Sequence, residues 1–209
     1  CASGFRKDKI VAMNIRSLAL APALVLGLAF PALAEKIPLN ELSRYLNRLT
    51  TATAEFTQVN PDGSISTGTV YIQRPGRVRF EYNNDNTLVM ASGGNVAVFD
   101  PKSGGPQQYP LSQTPLSIIL DANVNLGRAN MVTAHTESKN ATVVTAQDPQ
   151  NPQYGNIQMV FTAGPTQLRQ WVVTDDSGQK TTVILGEMRE GGSIPASKFS
   201  INNEMARRN

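Results

Sequence analysis

From Thr53 to Met188 apolar and polar residues alternate with a period of two, interrupted by turn residues at short intervals. The clearest stretch is Arg77–Tyr82, where Val78, Phe80 and Tyr82 interleave with Arg77, Arg79 and Glu81. Period two places alternate side chains on opposite faces of a strand. The pattern predicts strands over 53–59, 68–73, 77–82, 87–91, 95–100, 131–135, 142–146, 156–162, 168–174 and 181–188. Between them stand Asn60-Pro61-Asp62-Gly63, Pro75-Gly76, Asn83-Asn84-Asp85-Asn86, Gly93-Gly94 and Asp175-Asp176-Ser177-Gly178, all turn formers. Short strands joined by hairpin-length turns define a mainly β, antiparallel protein, barrel-like or sandwich.

Two segments break the alternation. Leu39, Leu42, Leu46 and Leu49 recur at helical spacing behind Pro38, an amphipathic helix. The stretch 101–129 is looser, and within it Pro115–Leu120 predicts a helix of about one to three turns, with Thr114 as N-cap and Pro115 first in the helix. The chain is expected to close in a polar tail, Ile201–Asn209.

The beginning of the chain reads differently. Arg16 precedes 13 apolar residues, Leu18–Phe30, and Ala32-Leu33-Ala34 supplies a small-x-small cleavage signal. This is the layout of a secretory signal peptide over residues 13–34, cleaved after Ala34. A membrane-spanning helix would need roughly 20 apolar residues. Residues 1–12, without a methionine, read as a mis-assigned extension, and 35–209 as one domain.

Cleavage changes the charge balance. Of 19 Lys+Arg and 16 Asp+Glu, the leader takes Arg6, Lys7, Lys9, Arg16 and Asp8, so 15 of each sign remain. A formally neutral domain gives no electrostatic support for nucleic-acid binding. The single cysteine, Cys1, departs as well, which leaves no disulfide framework. An exported, cysteine-free domain fits the bacterial periplasm.

Catalytic chemistry finds few residues. His135 is the only histidine and sits in an alternating segment, where it reads as a solvent-facing or hydrogen-bonded strand residue. Without a mature cysteine or a histidine pair there is no thiol nucleophile and no zinc set. No G-x-S-x-G elbow or P-loop occurs. Asp175-Asp176 belongs to a turn, and the Asn60–Gly63 stretch lacks the further oxygen ligands of a calcium loop. The sequence therefore points to a non-enzyme with no cofactor and no metal.

What remains is apolar surface. Val70, Ile72, Val78, Phe80, Tyr82, Leu88, Met90, Val98, Met159, Phe161, Leu168 and Trp171 are expected to share one face of a long single sheet. That face is either ordinary core or, with only two short helices to cover it, the lining of an apolar binding basin. Arg74 ends the row that begins Val70, Ile72, which sets a guanidinium at the rim.

Four stretches resemble the periplasmic lipoprotein carrier family, LolA-type: AEFTQVNPDGSISTGTVYIQRPGRVRFEY, LVMASGGNVAVFDP, QTPLSIIL and LRQWVVTDDSGQKTTVIL. The likeness runs from Leu39 to Phe199 and rests on Phe56-Thr57-Gln58, Arg74-Pro75, Thr114-Pro115 and the spacing of Asp175, Gly178 and Thr181. The resemblance implies an incompletely closed antiparallel β-barrel of about eleven strands with a helical lid over an apolar cavity. It also implies a monomeric, non-enzymatic chaperone that takes acylated lipoproteins from an inner-membrane releasing complex to an outer-membrane receptor. By motif match Arg74 becomes the lid latch, through bonds to backbone groups of the lid, and Pro115, Leu116, Ile118 and Ile119 become the lid. Ala97 and Val98 stand beside Phe99 where relatives often carry more aromatics, a departure that bears on cavity shape. A lipid- or lipoprotein-sensing module of the same fold is the alternative, and an acyl hydrolase a more distant one.

Overall fold

A computed structural model describes residues 36–208. The extension and signal-peptide readings of residues 1–34 lie outside the described residues. The described residues include twelve strands: β1 (Thr51–Val59), β2 (Ile65–Gln73), β3 (Arg77–Tyr82), β4 (Leu88–Ser92), β5 (Asn95–Phe99), β6 (Gln107–Pro110), β7 (Val132–Ser138), β8 (Ala141–Ala146), β9 (Asn156–Thr162), β10 (Gln167–Thr174), β11 (Lys180–Leu185) and β12 (Arg189–Glu190). Three α-helices accompany them: α1 (Leu39–Arg48), α2 (Ser117–Leu120) and α3 (Ile201–Arg208).

All pairings are antiparallel, in the order β6-β5-β4-β3-β2-β1-β11-β10-β9-β8-β7, with β12 added beside β1. The end strands β6 and β7 do not pair, so the sheet is not closed. It is nevertheless strongly curved. Phe80 on β3 and Trp171 on β10 meet edge-to-face with centroids 6.2 Å apart, although three strands separate theirs. In a flat sheet, at about 4.8 Å per strand, they would stand roughly 19 Å apart. The inner face therefore gathers residues from both halves of the sheet into one cluster, which also includes Leu42, Tyr45 and Leu46 of α1 and Ile118, Ile119 and Leu120 of α2.

One glycine makes part of this curvature sterically possible. A β-carbon on Gly68 would lie 2.0 Å from the carbonyl oxygen of Glu81 and 2.8 Å from the Phe56 ring. The vacant position admits Phe56, which packs edge-on against Phe80 at 5.4 Å and Tyr82 at 5.2 Å.

Two expectations about these elements need correction. The loose stretch contains the edge strand β6, whose four residues are all exposed and therefore carry no buried row for the pattern to reveal. The polar tail is helix α3. It packs Ile201 and Met205 onto Leu88, Met90, Ala97 and Phe99 on the outer face. Its two apolar contacts are too few to give a clear helical period, and its docking depends on charge. Arg79, buried on the outer face of β3, bonds Glu81 at 2.6 Å, the Lys198 carbonyl at 3.0 Å and Glu204 of α3 at 3.1 Å. Burial pushes the Glu204 carboxyl up, but hydrogen bonds from Arg208 and Arg79 outweigh this and hold it below its ordinary value.

Candidate functional site

The inner face is built row by row from the strand registers. Ala54 faces Val70, Val70 faces Phe80, and Phe80 faces Val89 across β1, β2, β3 and β4. Ile72 faces Val78, which faces Ala91. On the other arm Trp171 faces Met159 and Met159 faces Val144. Leu168 and Trp171 are three residues apart, which regular pleating would set on opposite faces. A bulge between Leu168 and Gln170 shifts the register, so both point inward.

Of the twelve candidate lining residues, Val70, Ile72, Val78, Phe80, Met159, Phe161, Leu168 and Trp171 are brought together and buried in this cluster. Tyr82 lies half-buried against it and donates its hydroxyl to Gln58 Oε1 at 2.8 Å; burial raises its pKa to about 12. Val98 is placed on the inner face by its pairing with Val89 and is only partly buried. Leu88 and Met90 are not on this face. Leu88 pairs with Glu81 and Met90 with Arg79, so both point outward, under α3. The reason is parity: β4 is apolar on both faces, and the hairpin register, not the apolar pattern, decides which residues turn inward.

The inner face is covered by α1 and α2. The lid candidates Pro115, Ile118 and Ile119 are buried and Leu116 is partly buried against the inner cluster. The helix begins later than expected. Thr114 does not cap it; its hydroxyl donates back to the Leu111 carbonyl, while Ser117 Oγ donates to the Thr114 carbonyl. Pro115 and Leu116 thus form the entry turn, and only Ser117–Leu120 is α-helical. Four residues make a single turn, which holds only through what it touches.

Those contacts converge on the β2–β3 turn. The Arg74 guanidinium donates to the carbonyl of Asp121, the residue after α2, and more distantly to the Leu49 carbonyl and Asn47 Oδ1, each at 3.4 Å. The Gly76 amide donates to the Leu120 carbonyl at 2.8 Å. Two carbonyls where α2 ends, those of Leu120 and Asp121, are thus met by donors from one turn. Burial lowers the Arg74 pKa and the neighbouring Asp121 carboxylate partly restores it, so the group stays charged.

Other candidates occupy structural positions. His135 Nε2 lies 2.9 Å from the Ile37 carbonyl, a strand histidine engaged with the segment before α1. Asp175 Oδ1 accepts from the amides of Ser177 and Gln179, the turn chemistry expected of it. Among the described residues no group of three or more His, Cys, Asp or Glu side chains could hold a metal. Cavities of about 780 and 470 Å³ lie beside α3, lined by residues such as Phe99, Met205 and Arg207, away from the inner face.

Sequence reasoning missed Asn47 and Ser43 of α1, which bond the loop following α2. The available signal was two polar residues four apart beside the apolar stripe of an amphipathic helix.

A curved, open antiparallel sheet with an apolar inner face under short helices is an architecture suited to holding apolar ligands. The chain belongs to the family described as outer membrane lipoprotein carrier protein LolA, whose profile matches residues 47–202. An outer-membrane lipoprotein carrier protein of Pseudomonas paraeruginosa is 23% identical over 199 residues, covering 90% of this chain and 94% of that one. The carrier of Pseudomonas syringae pv. syringae is 26% identical over 200 residues with the same coverage, and that of Methylococcus capsulatus is 36% identical over 91 residues, 41% of this chain and 43% of that one. Among solved structures, a LolA superfamily protein of Nitrosomonas europaea superposes with a TM-score of 0.44 at 10% identity, over 79% of this chain and 99% of that one.

Proposed function

We propose that this protein is a periplasmic carrier that holds the acyl chains of lipoproteins against its inner sheet face and carries them from the inner to the outer membrane. The observation that carries the reading is the pairing of an extensive apolar inner face with a one-turn cover whose last carbonyls are tied by Arg74 and Gly76. Family membership and the carrier names of its relatives support the cargo class. An exported location follows from the leader over residues 13–34.

Magnitudes favour a loadable site. A hydrogen bond to a charged group contributes about 1.5–3 kcal/mol. Each buried methylene of an acyl chain contributes roughly 0.8 kcal/mol. A few methylenes therefore offset the latch, and a whole chain displaces the cover while the peptide part of the cargo stays in water. Arg74 biases the empty site toward closure and so assists release. Handover requires an inner-membrane releasing complex as donor and an outer-membrane receptor or membrane as acceptor. Since the sequence carries no nucleotide-binding motif, the energy for loading comes from the donor.

The test is native mass spectrometry of the protein made with its leader and purified from periplasm without detergent. Bound acylated lipoprotein, absent from the same domain made in cytoplasm, is the expected result. Protein that stays empty even beside a lipoprotein-releasing membrane would overturn the carrier reading.

A further inference from the structure

Arg74 is only one of the groups that hold the cover. The chain leaving α2 runs through Asp121 and Val124 to Leu126 along the flank of α1. There the carboxamide of Asn47 engages both backbone groups of one residue. Its Oδ1 accepts the Val124 amide at 2.8 Å, and its Nδ2 donates to the Val124 carbonyl at 2.9 Å. One turn earlier, Ser43 Oγ accepts the Leu126 amide at 3.0 Å while donating to the Leu39 carbonyl at 2.7 Å. Residues four apart lie one above the other on a helix, so Ser43 and Asn47 form a rail along α1. Val124 and Leu126, held by that rail, are themselves buried in the main cluster.

The rail is fixed to the sheet. Leu42 and Leu46 are fully buried, and Tyr45, between them, donates its hydroxyl to Glu190 at 2.9 Å and accepts the Leu168 amide at 3.2 Å. Glu41 accepts from the Thr166 hydroxyl at 2.9 Å. Helix α1 is thus bound to β10 and β12, whereas α2 has one turn and borrowed donors.

We infer that Asn47, supported by Ser43, is a positioning residue for the cover: it clasps the exit of α2 to the sheet-bound α1 and presents Asp121 to Arg74. The inference deepens the carrier reading, since it assigns lid closure to two groups on different elements. Arg74 meets the end of α2 from the β2–β3 turn, and Asn47 meets the following loop from α1. Asn47 Oδ1 also lies 3.4 Å from the Arg74 guanidinium, so the carboxamide joins the two. Loss of Asn47 frees the loop, lets Asp121 drift from Arg74 and releases α2 as a unit.

Residue-resolved hydrogen exchange on the empty mature protein tests this. The informative amides are those of Ser117, Ile118 and Leu120, which bond within the α2 segment and do not touch Asn47. In Asn47→Ala they should exchange about tenfold faster, as expected when two neutral hydrogen bonds that close the segment are lost, while amides of β9 stay unchanged. Asn47→Asp keeps the acceptor for Val124 and Arg74 but loses the donor to the Val124 carbonyl, and should fall between. Acceleration confined to Val124, or spread equally through β9, would overturn the inference. If Asn47→Ala does not fold, Ser43→Ala, which removes the Leu126 bond together with the back-bond to the Leu39 carbonyl inside α1, should still speed the same amides about threefold, and no change there would overturn it too. Failure of the carrier reading shows separately, as a wild-type protein that takes up no acylated peptide, because the exchange measurement needs no cargo.

Discussion

Arg74→Leu tests the latch where its effect on access to the inner face can be measured. Of the three Arg74 contacts, the one to the Asp121 carbonyl is short and charge-assisted, while those to Leu49 and Asn47 are at the outer limit of hydrogen-bond distance. Arg74 Nε is buried without a partner, so deleting the side chain also removes a desolvation cost. Asp121 is exposed, and water replaces the guanidinium at its carbonyl. The net bias toward closure is therefore about 1.5 kcal/mol, the low end of the range for charged hydrogen bonds, or roughly tenfold in the open-to-closed ratio. Apparent affinity is intrinsic affinity scaled by the open fraction, so the variant should bind an acylated peptide about tenfold more tightly and release it correspondingly more slowly. Trp171, the sole tryptophan of the chain and 2% exposed on the inner face, supplies the assay. A brominated acyl chain that enters the site quenches its fluorescence, and titrations of the two proteins give the ratio. Equal midpoints, or weaker binding by the variant, would refute the latch; an unquenched Trp171 at saturation would refute the inner face as the site.

The other predictions concern the scaffold. Gly68→Ala sets a methyl against the Glu81 carbonyl and should cost about 3 kcal/mol, a fall in Tm of roughly 6–12 °C by calorimetry. Glu204→Gln takes one charge from the Arg79 network and should cost about 2 kcal/mol, or roughly 4–8 °C. Because the Glu204 carboxyl is held below its ordinary value in the folded protein, its stabilisation is present above the unfolded value of about 4.3 and is lost as pH falls through the lower folded one. Acid titration should therefore detach α3, read as exposure of the Met205–Phe99 contact, before the inner cluster melts. His135→Ala should leave acyl-peptide binding and release unchanged; loss of turnover there would reopen a catalytic reading.

The sequence made the strands legible because most of them bury one face only. Val78-Arg79-Phe80-Glu81-Tyr82 announces its own period, and β3 and β9 fall at the residues the pattern predicts. Where both faces are buried the signal fails. In β4, Leu88, Met90 and Ala91 are all buried, and nothing local states that Val89 and Ala91, not Leu88 and Met90, turn toward Phe80 and Val78. The missing information was α3, whose Ile201 and Met205 make the outer side of β4 a second small core. Arg79 carried the same message: an arginine in the polar row of β3 reads as solvent-facing until Glu204, 125 residues on, gives it a partner. Arg74 was legible at the rim from its place after Val70 and Ile72, but Asn47 was not: its partners are backbone groups of a loop, and the pair of polar residues four apart beside the apolar stripe of α1 does not by itself say what they bond.

The two faces of the sheet solve opposite problems with their short helices. On the outer face α3 is held by a buried arginine and a buried glutamate joined across 125 residues. Detaching the helix separates this pair and leaves Glu81 to balance the buried Arg79, so detachment is costly and the helix acts as a standing cover. On the inner face α2 is held by backbone carbonyls meeting donors from Arg74 and Gly76, groups that water can satisfy once the helix moves away. Opening then costs only the net worth of a few hydrogen bonds plus the exposure of Ile118, Ile119 and Leu120, and in the proposed carrier an acyl chain entering below would compensate that exposure. An apolar face covered by a charge-clamped helix would be a core. Covered by a turn whose bonds exchange readily with water, it suits the proposed carrier, which must fill and empty.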